Sequence, residues 1–188
     1  IQIAQNELKR LNSLVEKVLS MAAFEKNEIT MSASAIPLQS FVCNIINNLK
    51  PLLEQNNTKI QLDVSPEDLT VKADCFHLAN VIINLIDNAV KYNNKTDPEI
   101  DIQISKQDND IVILVADNGK GIPAEYTDKI FDKFFRVPAG DLHEVKGYGL
   151  GLSYVKAIVM LHNGTIMANS QQGIGSTFII TQIGRAHV

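Results

Sequence analysis

The stretch Asn84-Leu-Ile-Asp-Asn-Ala-Val-Lys-Tyr92 decides the fold of this 188-residue chain. It is the second half of an apolar segment that opens near Asp74 and that we predict to be one α-helix. At the helical period, the polar side chains fall within one narrow arc and the apolar side chains lie opposite. The polar arc consists of Asn80, Asn84, Asp87, Asn88 and Lys91, and the predicted buried face consists of Leu78, Val81, Ile82, Leu85 and Ala89.

This polar arc has two interpretations. Buried amides must be hydrogen-bonded, so a stripe of them indicates a pocket that holds something polar. An amide oxygen is a hard ligand suited to magnesium, and a lysine one turn away neutralises phosphate charge. The alternative is an ordinary solvated helix face. The helix alone does not decide between them, and the motifs that follow it favour the pocket.

Composition places the chain among soluble globular proteins. Hydrophobic residues make up 45% and charged residues 20%, and the net charge of -4 argues against a nucleic-acid or anionic-membrane surface. No apolar run approaches a membrane span and no signal peptide opens the chain, so we expect a soluble piece whose longer parent could still be membrane-anchored. Cys43 and Cys75 have no metal-site spacing and neighbour apolar residues, which predicts buried, reduced thiols. Reduced thiols fit the cytoplasm best.

The order of elements predicts an α+β fold, a two-layer sandwich. A single mixed sheet would carry three helices on one face. The strands are expected at 28–35, 59–64, 69–73, 99–106, 110–116, 164–169 and 176–182. Three helices are expected. The first begins at Pro37 and is kinked or ended by Pro51, and the second follows Asp74 as its N-cap. The third ends at about His162.

Residues 1–26 form a separate predicted element. Apolar side chains recur there at intervals of three and four, as in a heptad seam, and such a helix needs a neighbour to bury its stripe. Because the chain begins in mid-pattern at Ile1, we expect a truncated helical hairpin. The tail 184–188 continues no pattern, and it is either native or a vector-derived remnant.

Asp117-Asn-Gly-Lys-Gly-Ile-Pro123 follows a strongly apolar strand. A carboxylate at a strand end can accept a hydrogen bond from an exocyclic amine, and Gly119 and Gly121 would let the backbone pass flush against a flat ring. A simple Asp-Asn-Gly turn is the alternative.

Phe131-Asp-Lys-Phe-Phe-Arg136 concentrates three of the seven phenylalanines of the chain. The aromatic residues predict a hydrophobic anchor for a mobile segment, with Arg136 able to meet a phosphate. A short amphipathic helix docked on the core is the alternative.

Gly147-Tyr-Gly-Leu-Gly-Leu152 opens a helix. Glycine amides at a helix N-terminus favour anions, because their N–H groups are unpaired and the helix dipole is positive there. The triplet follows no first strand of a βαβ unit, so a dinucleotide fold is excluded. Gly173-Ile-Gly-Ser-Thr177 is either a hairpin turn or a second route into the same pocket.

In their order and spacing, these motifs resemble the ATP-binding catalytic domain of bacterial sensor histidine kinases. The resemblance covers about residues 37–182, within an expected catalytic domain at 27–183. Residues 1–26 resemble the second helix of the dimerisation and phosphotransfer hairpin. The resemblance implies ATP and Mg²⁺ as ligands. As partners it implies the chain's own missing phosphotransfer helix or a second kinase subunit in a homodimeric parent, and a response-regulator receiver domain.

The resemblance also implies residue roles. Asn88 would ligate magnesium with Asn84 supporting it, Lys91 and Arg136 would contact phosphate, and Tyr92 would flank the nucleotide. Asp117 would accept from the adenine amino group. The residues that the resemblance places beside the adenine ring are Gly119, Gly121, Ile122, Leu150 and Thr177. Those that it places around the phosphates are Gly147, Gly149 and Gly151, and it implies a lid at 137–146.

Two departures refine this expectation. None of the four histidines matches the family's phosphoacceptor, so we expect the acceptor on a helix absent from this chain. Related ATPases carry a glutamate as general base where this chain has Asn84, and an amide cannot take a proton at neutral pH. A degenerate pseudokinase acting by helix pairing, and an anti-sigma-factor-like serine kinase, are the alternatives.

Overall fold

The computed structural model describes Val15 and residues 31–108, 110–138 and 148–181. The chain divides into two compact units, Ile1–Met31 and Ser32–Val188. Val15 is helical, and the rest of the predicted heptad helix at 1–26 lies outside the described residues, as does the tail at 184–188.

A five-stranded mixed sheet forms one layer of the second unit, in the order β2-β4-β5-β7-β6. β2 pairs with β4 in parallel, and the other three pairings are antiparallel. The strands are β2 (Lys59–Ser65), β4 (Glu99–Gln107), β5 (Asp110–Asp117), β6 (Thr165–Gln171) and β7 (Gly175–Thr181). All five lie close to their predicted positions.

Two strands form a separate small sheet, so the prediction of a single sheet is wrong. β1 (Ala33–Pro37) pairs antiparallel with β3 (Thr70–Asp74). The strand expected at 28–35 begins only at Ala33 within the described residues. Leu38 N donates to Leu69 O at 2.9 Å, which joins the ends of these strands to the start of the first helix.

Three helices form the second layer: α1 (Leu38–Gln55), α2 (Cys75–Lys91) and α3 (Gly151–Leu161). They pack on the sheet face that carries Ile102, Ile113 and Ile180, all at most 1% exposed. Pro37 ends β1 rather than beginning α1, and α1 continues through Pro51 instead of ending there.

Both cysteines are free thiols, as expected, but the expectation that they are buried is wrong. Cys75 is exposed because it is the first residue of α2, and Cys43 is partly exposed. In the parts of the chain that the structure describes, no helix has the length and apolarity needed to cross a bilayer.

Candidate functional site

The asparagine helix begins as predicted. Asp74 is its N-cap, and its Oδ1 accepts a hydrogen bond from His77 N at 3.0 Å. The five residues of the predicted apolar face, from Leu78 to Ala89, are at most 4% exposed. α2 is thus fixed in the core by its apolar side, and its polar arc is left for other contacts.

Asn84 lies where α2 meets the start of α3. Its side chain is 5% exposed and donates through Nδ2 to Asn80 O at 2.7 Å. A Cβ atom placed on Gly151 would lie 3.0 Å from Asn84 Oδ1. The last glycine of the Gly-x-Gly-x-Gly motif therefore allows α3 to approach the asparagine stripe closely.

The N-terminus of α3 is preceded by Gly149 and carries no side-chain cap. Gly149 has φ +70° and lies against the backbone of Phe134 and Phe135, and its carbonyl accepts from Phe134 N at 2.9 Å. A helix start without a cap keeps N–H groups available for an anion. Leu150 is buried, whereas Gly147 lies outside the described residues.

The C-terminal end of α2 is joined to the Asp117 loop. Tyr92 O accepts from Lys120 N at 3.0 Å, and a Cβ on Gly119 would lie only 2.8 Å from the same oxygen. Asn93 Nδ2 donates to Asn118 Oδ1 at 2.8 Å. Tyr92 itself is 41% exposed.

Asn88 lies between these two junctions, one helical turn after Asn84 and one turn before Tyr92. Its side chain is half-buried. Among the described residues, nothing is hydrogen-bonded to its amide group. The predicted metal ligand is therefore placed between the glycine-led helix start and the Asp117 loop.

Lys91 is already paired within its own helix. Its Nζ contacts Asp87 Oδ2, and the side chains are 41% and 29% exposed. An i, i+4 pair of this kind contributes little to stability and breaks readily. A phosphate at this site would compete with Asp87 for the ammonium group.

On the expectation that the chain binds ATP, Asp87→Asn should tighten that binding by about two- to five-fold. The exposed ion pair with Asp87 holds Lys91 back from a phosphate by at most about 1 kcal/mol. Isothermal titration measures the change. In a Lys91→Ala background the same substitution is expected to have no effect. A gain of equal size in that background would contradict the competition.

Asp117 occupies the last position of β5. Its Oδ1 accepts from Gly119 N at 2.8 Å. Burial raises the pKa of this carboxyl group, and the N–H groups of Gly119 and Ser176 act in the opposite direction. A partly buried carboxylate that forms no ion pair with the described residues is suited to accept from a neutral amine.

Gly121 and Ile122 contact the β6–β7 hairpin. Gly121 has φ +67°, and the backbone of Gln171 occupies the position that a Cβ atom would take. Ile122 N donates to Ser170 Oγ at 2.7 Å. Close chain packing accounts for Gly121 in this structure, and its contact with a ring remains a prediction.

Thr177 lies on the opposite face of the sheet from Asp117. In the β5–β7 register Asp117 pairs with Ser176, and Thr177 pairs with Ala116. Since paired residues share a face and neighbours alternate, Ser176 is the hydroxyl residue on the Asp117 side. Ser176 is 8% exposed, so we expect Ser176 rather than Thr177 to lie beside the ring.

We expect Ser176→Ala to weaken ATP binding by about three- to ten-fold through the loss of one buried hydroxyl group. Thr177→Ala, which removes the neighbouring hydroxyl from the other face, is expected to change it by less than about two-fold. Fluorescence titration with a labelled ATP analogue measures both. The reverse order of effects would restore Thr177 to the site.

Part of the Phe-rich segment is anchored in the core by a short 3₁₀ helix at Lys129–Phe131, and both the predicted anchor and the alternative of a docked short helix are compatible with this arrangement. Ile130 and Phe131 are buried, and Phe131 meets Phe178 edge-on at 6.4 Å between ring centroids. Phe134 is 68% exposed and has φ +61°. Arg136 is exposed, and most of the predicted lid, residues 139–146, lies outside the described residues.

Three contributors to the candidate site were not predicted from the sequence. Asn118 Nδ2 donates to Asp97 O at 2.9 Å while its Oδ1 accepts from Glu99 N at 3.0 Å, so it fixes the Asp117 loop. Ser176 could be identified only from the register of β5 with β7, which places it on the same face as Asp117. The Asp87–Lys91 spacing was visible as an i, i+4 pair of opposite charges.

Comparison with known proteins identifies the family of this chain. Residues 73–184, more than half of the chain, match the family of histidine kinase-, DNA gyrase B-, and HSP90-like ATPases. The sensor protein RprX of Bacteroides fragilis (strain YCH46) is 40% identical over 179 residues, which are 95% of this chain and 34% of RprX. The chain thus spans about a third of that relative's length.

Two solved structures share the fold. The catalytic domain of histidine kinase ThkA is 27% identical, with a TM-score of 0.70 over 80% of this chain and 97% of that domain. Full-length ShkA has a TM-score of 0.82 over 95% of this chain and 37% of ShkA, and its identity of 24% shows the fold alone. The chain therefore belongs to the histidine kinase-, DNA gyrase B-, and HSP90-like ATPase family, and within it the chain is similar to the catalytic domain of a histidine kinase.

Proposed function

We propose that this chain binds Mg-ATP between α2, α3 and the Asp117 loop and transfers the γ-phosphate to a histidine on a separate helix. The observation that carries the proposal is the position of Asn88 on α2. It lies one turn after Asn84, which meets the start of α3 at Gly151, and one turn before Tyr92, whose carbonyl is hydrogen-bonded to the Asp117 loop. ShkA, which shares the fold, was crystallised in complex with AMPPNP.

The residues divide into an adenine end and a phosphate end. Asp117 accepts from the exocyclic amine, with Ser176 on the same sheet face and Ile122 and Leu150 as apolar neighbours. The N–H groups at the start of α3 face the phosphates, and Lys91 leaves Asp87 to join them. Arg136 is the candidate for the γ-phosphate.

The side-chain amide oxygen of Asn88 is a suitable ligand for magnesium. An amide oxygen is a hard neutral ligand, and Mg²⁺ commonly takes one or two protein oxygens while phosphates and water complete its coordination. When bound, the ion neutralises charge on the phosphate oxygens. Asn88 would hold it, and Asn84 keeps the neighbouring turn of α2 against Gly151.

Water activation is not supported by the residues of α2. Asn84 occupies the position of the general base in related ATPases, and its Nδ2 is engaged with Asn80 O. An amide cannot accept a proton at neutral pH. Phosphoryl transfer depends on positioning and charge neutralisation, so this site suits an incoming imidazole better than water.

The partners follow from this chemistry. The acceptor histidine would come from the phosphotransfer helix of the same or a second kinase subunit, and the phosphate would pass to an aspartate of a response-regulator receiver domain. ThkA has been solved in complex with the response regulator TrrA.

The proposal is tested by phosphotransfer in trans. The chain is incubated with γ-labelled Mg-ATP and a helical hairpin of the family that carries its phosphoacceptor histidine. Label on the hairpin is expected, and none on a hairpin with that histidine changed to alanine. Tight ATP binding without any transfer to a folded hairpin would instead indicate a pseudokinase.

A further inference from the structure

Four polar side chains form a cluster between α2 and α3: Asp74, His77, Tyr154 and His162. On α2 the cluster occupies the end opposite to Asn88. None of these residues takes part in the proposed nucleotide contacts. Asp74 and His162 are at most 9% exposed, so their polar atoms need partners within the protein.

His162 joins the end of α3 to the start of α2. Its Nε2 accepts from Asp74 N at 3.0 Å, and its Nδ1 lies 2.9 Å from Ile158 O. A backbone N–H only donates and a carbonyl only accepts. The imidazole is therefore the neutral tautomer with its proton on Nδ1.

His77 joins the first turn of α3 to α2. Its Nδ1 lies 2.9 Å from the Tyr154 hydroxyl, and Tyr154 N donates to Leu150 O at 3.0 Å. Burial lowers the pKa of His77, and burial together with the Asp74 carboxylate raises the pKa of Tyr154 to about 12. The bond thus joins two uncharged partners at neutral pH.

The three contacts between the helices define an antiparallel register. Asn84 meets Gly151, His77 meets Tyr154, and Asp74 meets His162. Residue numbers in these three pairs decrease along α2 while they increase along α3. A shift of α3 along its axis would break both polar contacts and would move the start of α3 relative to Asn84 and Asn88.

We propose that His77, Tyr154 and His162 are positioning residues, which hold α3 in the axial register that places its glycine-led start beside the asparagine stripe. They set the affinity for the phosphate part of the nucleotide without touching it. The inference rests on the proposed binding of Mg-ATP. It adds a determinant of nucleotide affinity, His77, about two helical turns before Asn84 on α2.

The test compares Tyr154→Phe with the wild-type chain for two ligands. The substitution keeps the ring and removes only the hydroxyl. Affinity for Mg-ATP is expected to fall by about three- to ten-fold, whereas the affinity for adenosine, measured by NMR titration, is unchanged. Tyr126→Phe is the matched control, since within the described residues no hydrogen bond is made by that hydroxyl, and it is expected to change neither affinity.

A double-mutant cycle adds a second readout. His77→Ala is expected to lower the affinity for Mg-ATP as Tyr154→Phe does. The double variant should lose no more affinity than the single variant with the larger loss. Additive losses, equal losses for adenosine and Mg-ATP, or no loss at all would overturn the positioning role. Failure of the wild-type chain to bind Mg-ATP would instead contradict the proposed function itself.

Discussion

Asn88→Ala is expected to remove the magnesium-dependent part of ATP binding. In the presence of Mg²⁺ the affinity should fall by at least about ten-fold, because the ion loses its protein ligand and the phosphate charge is no longer neutralised at that point. Without Mg²⁺ the two proteins should bind ATP alike. Titration calorimetry with and without EDTA measures the difference.

The fold should survive this substitution. Asn88 is half-buried, and its amide makes no hydrogen bond with the described residues, so alanine leaves no orphaned partner. Asn48→Ala, at an exposed asparagine of α1, is the matched control and is expected to bind as the wild type does. Unchanged magnesium dependence in Asn88→Ala would remove this residue from the metal site.

Asp117→Asn is expected to weaken ATP binding by about ten- to a hundred-fold. The change replaces an acceptor by a donor next to the adenine amine and loses a charge-assisted hydrogen bond, which contributes about 1.5–3 kcal/mol. Binding of tripolyphosphate, which has no base, should be nearly unaffected. Competition titrations with both ligands separate the two ends of the site.

The control for this change is Asp63→Asn, which alters an exposed carboxylate on β2 by the same chemistry. It should leave both ligands unaffected. Equal losses of ATP and tripolyphosphate in Asp117→Asn would mean that the carboxylate acts on the phosphate end, or on the fold as a whole, and not on adenine.

Local patterns predicted the elements that are long and regular. α2 was readable because its apolar period continues through Ile82, Leu85 and Ala89, and Asp74 stands where an N-cap is required. The glycine motif identified the start of α3 for a similar reason, since a side chain at residue 151 would crowd Asn84 Oδ1, which lies 3.0 Å from the position of a Cβ atom.

Features that depend on long-range pairing were not readable. β3 pairs with β1 and not with the main sheet, although nothing in its sequence distinguishes it. Ser176 and Thr177 are adjacent hydroxyl residues, and only the register with β5 shows which one shares a face with Asp117. The partnership of His77 with Tyr154 links residues 77 positions apart.

Simultaneous measurement of ATP binding and phosphate release by the purified chain, with and without Mg²⁺, tests the central claim most directly. We predict magnesium-dependent binding with negligible release, because Asn84 cannot activate water. Steady release of phosphate by the chain alone would contradict this account and place the site with the ATPases of the family, and absence of binding would contradict the nucleotide site altogether.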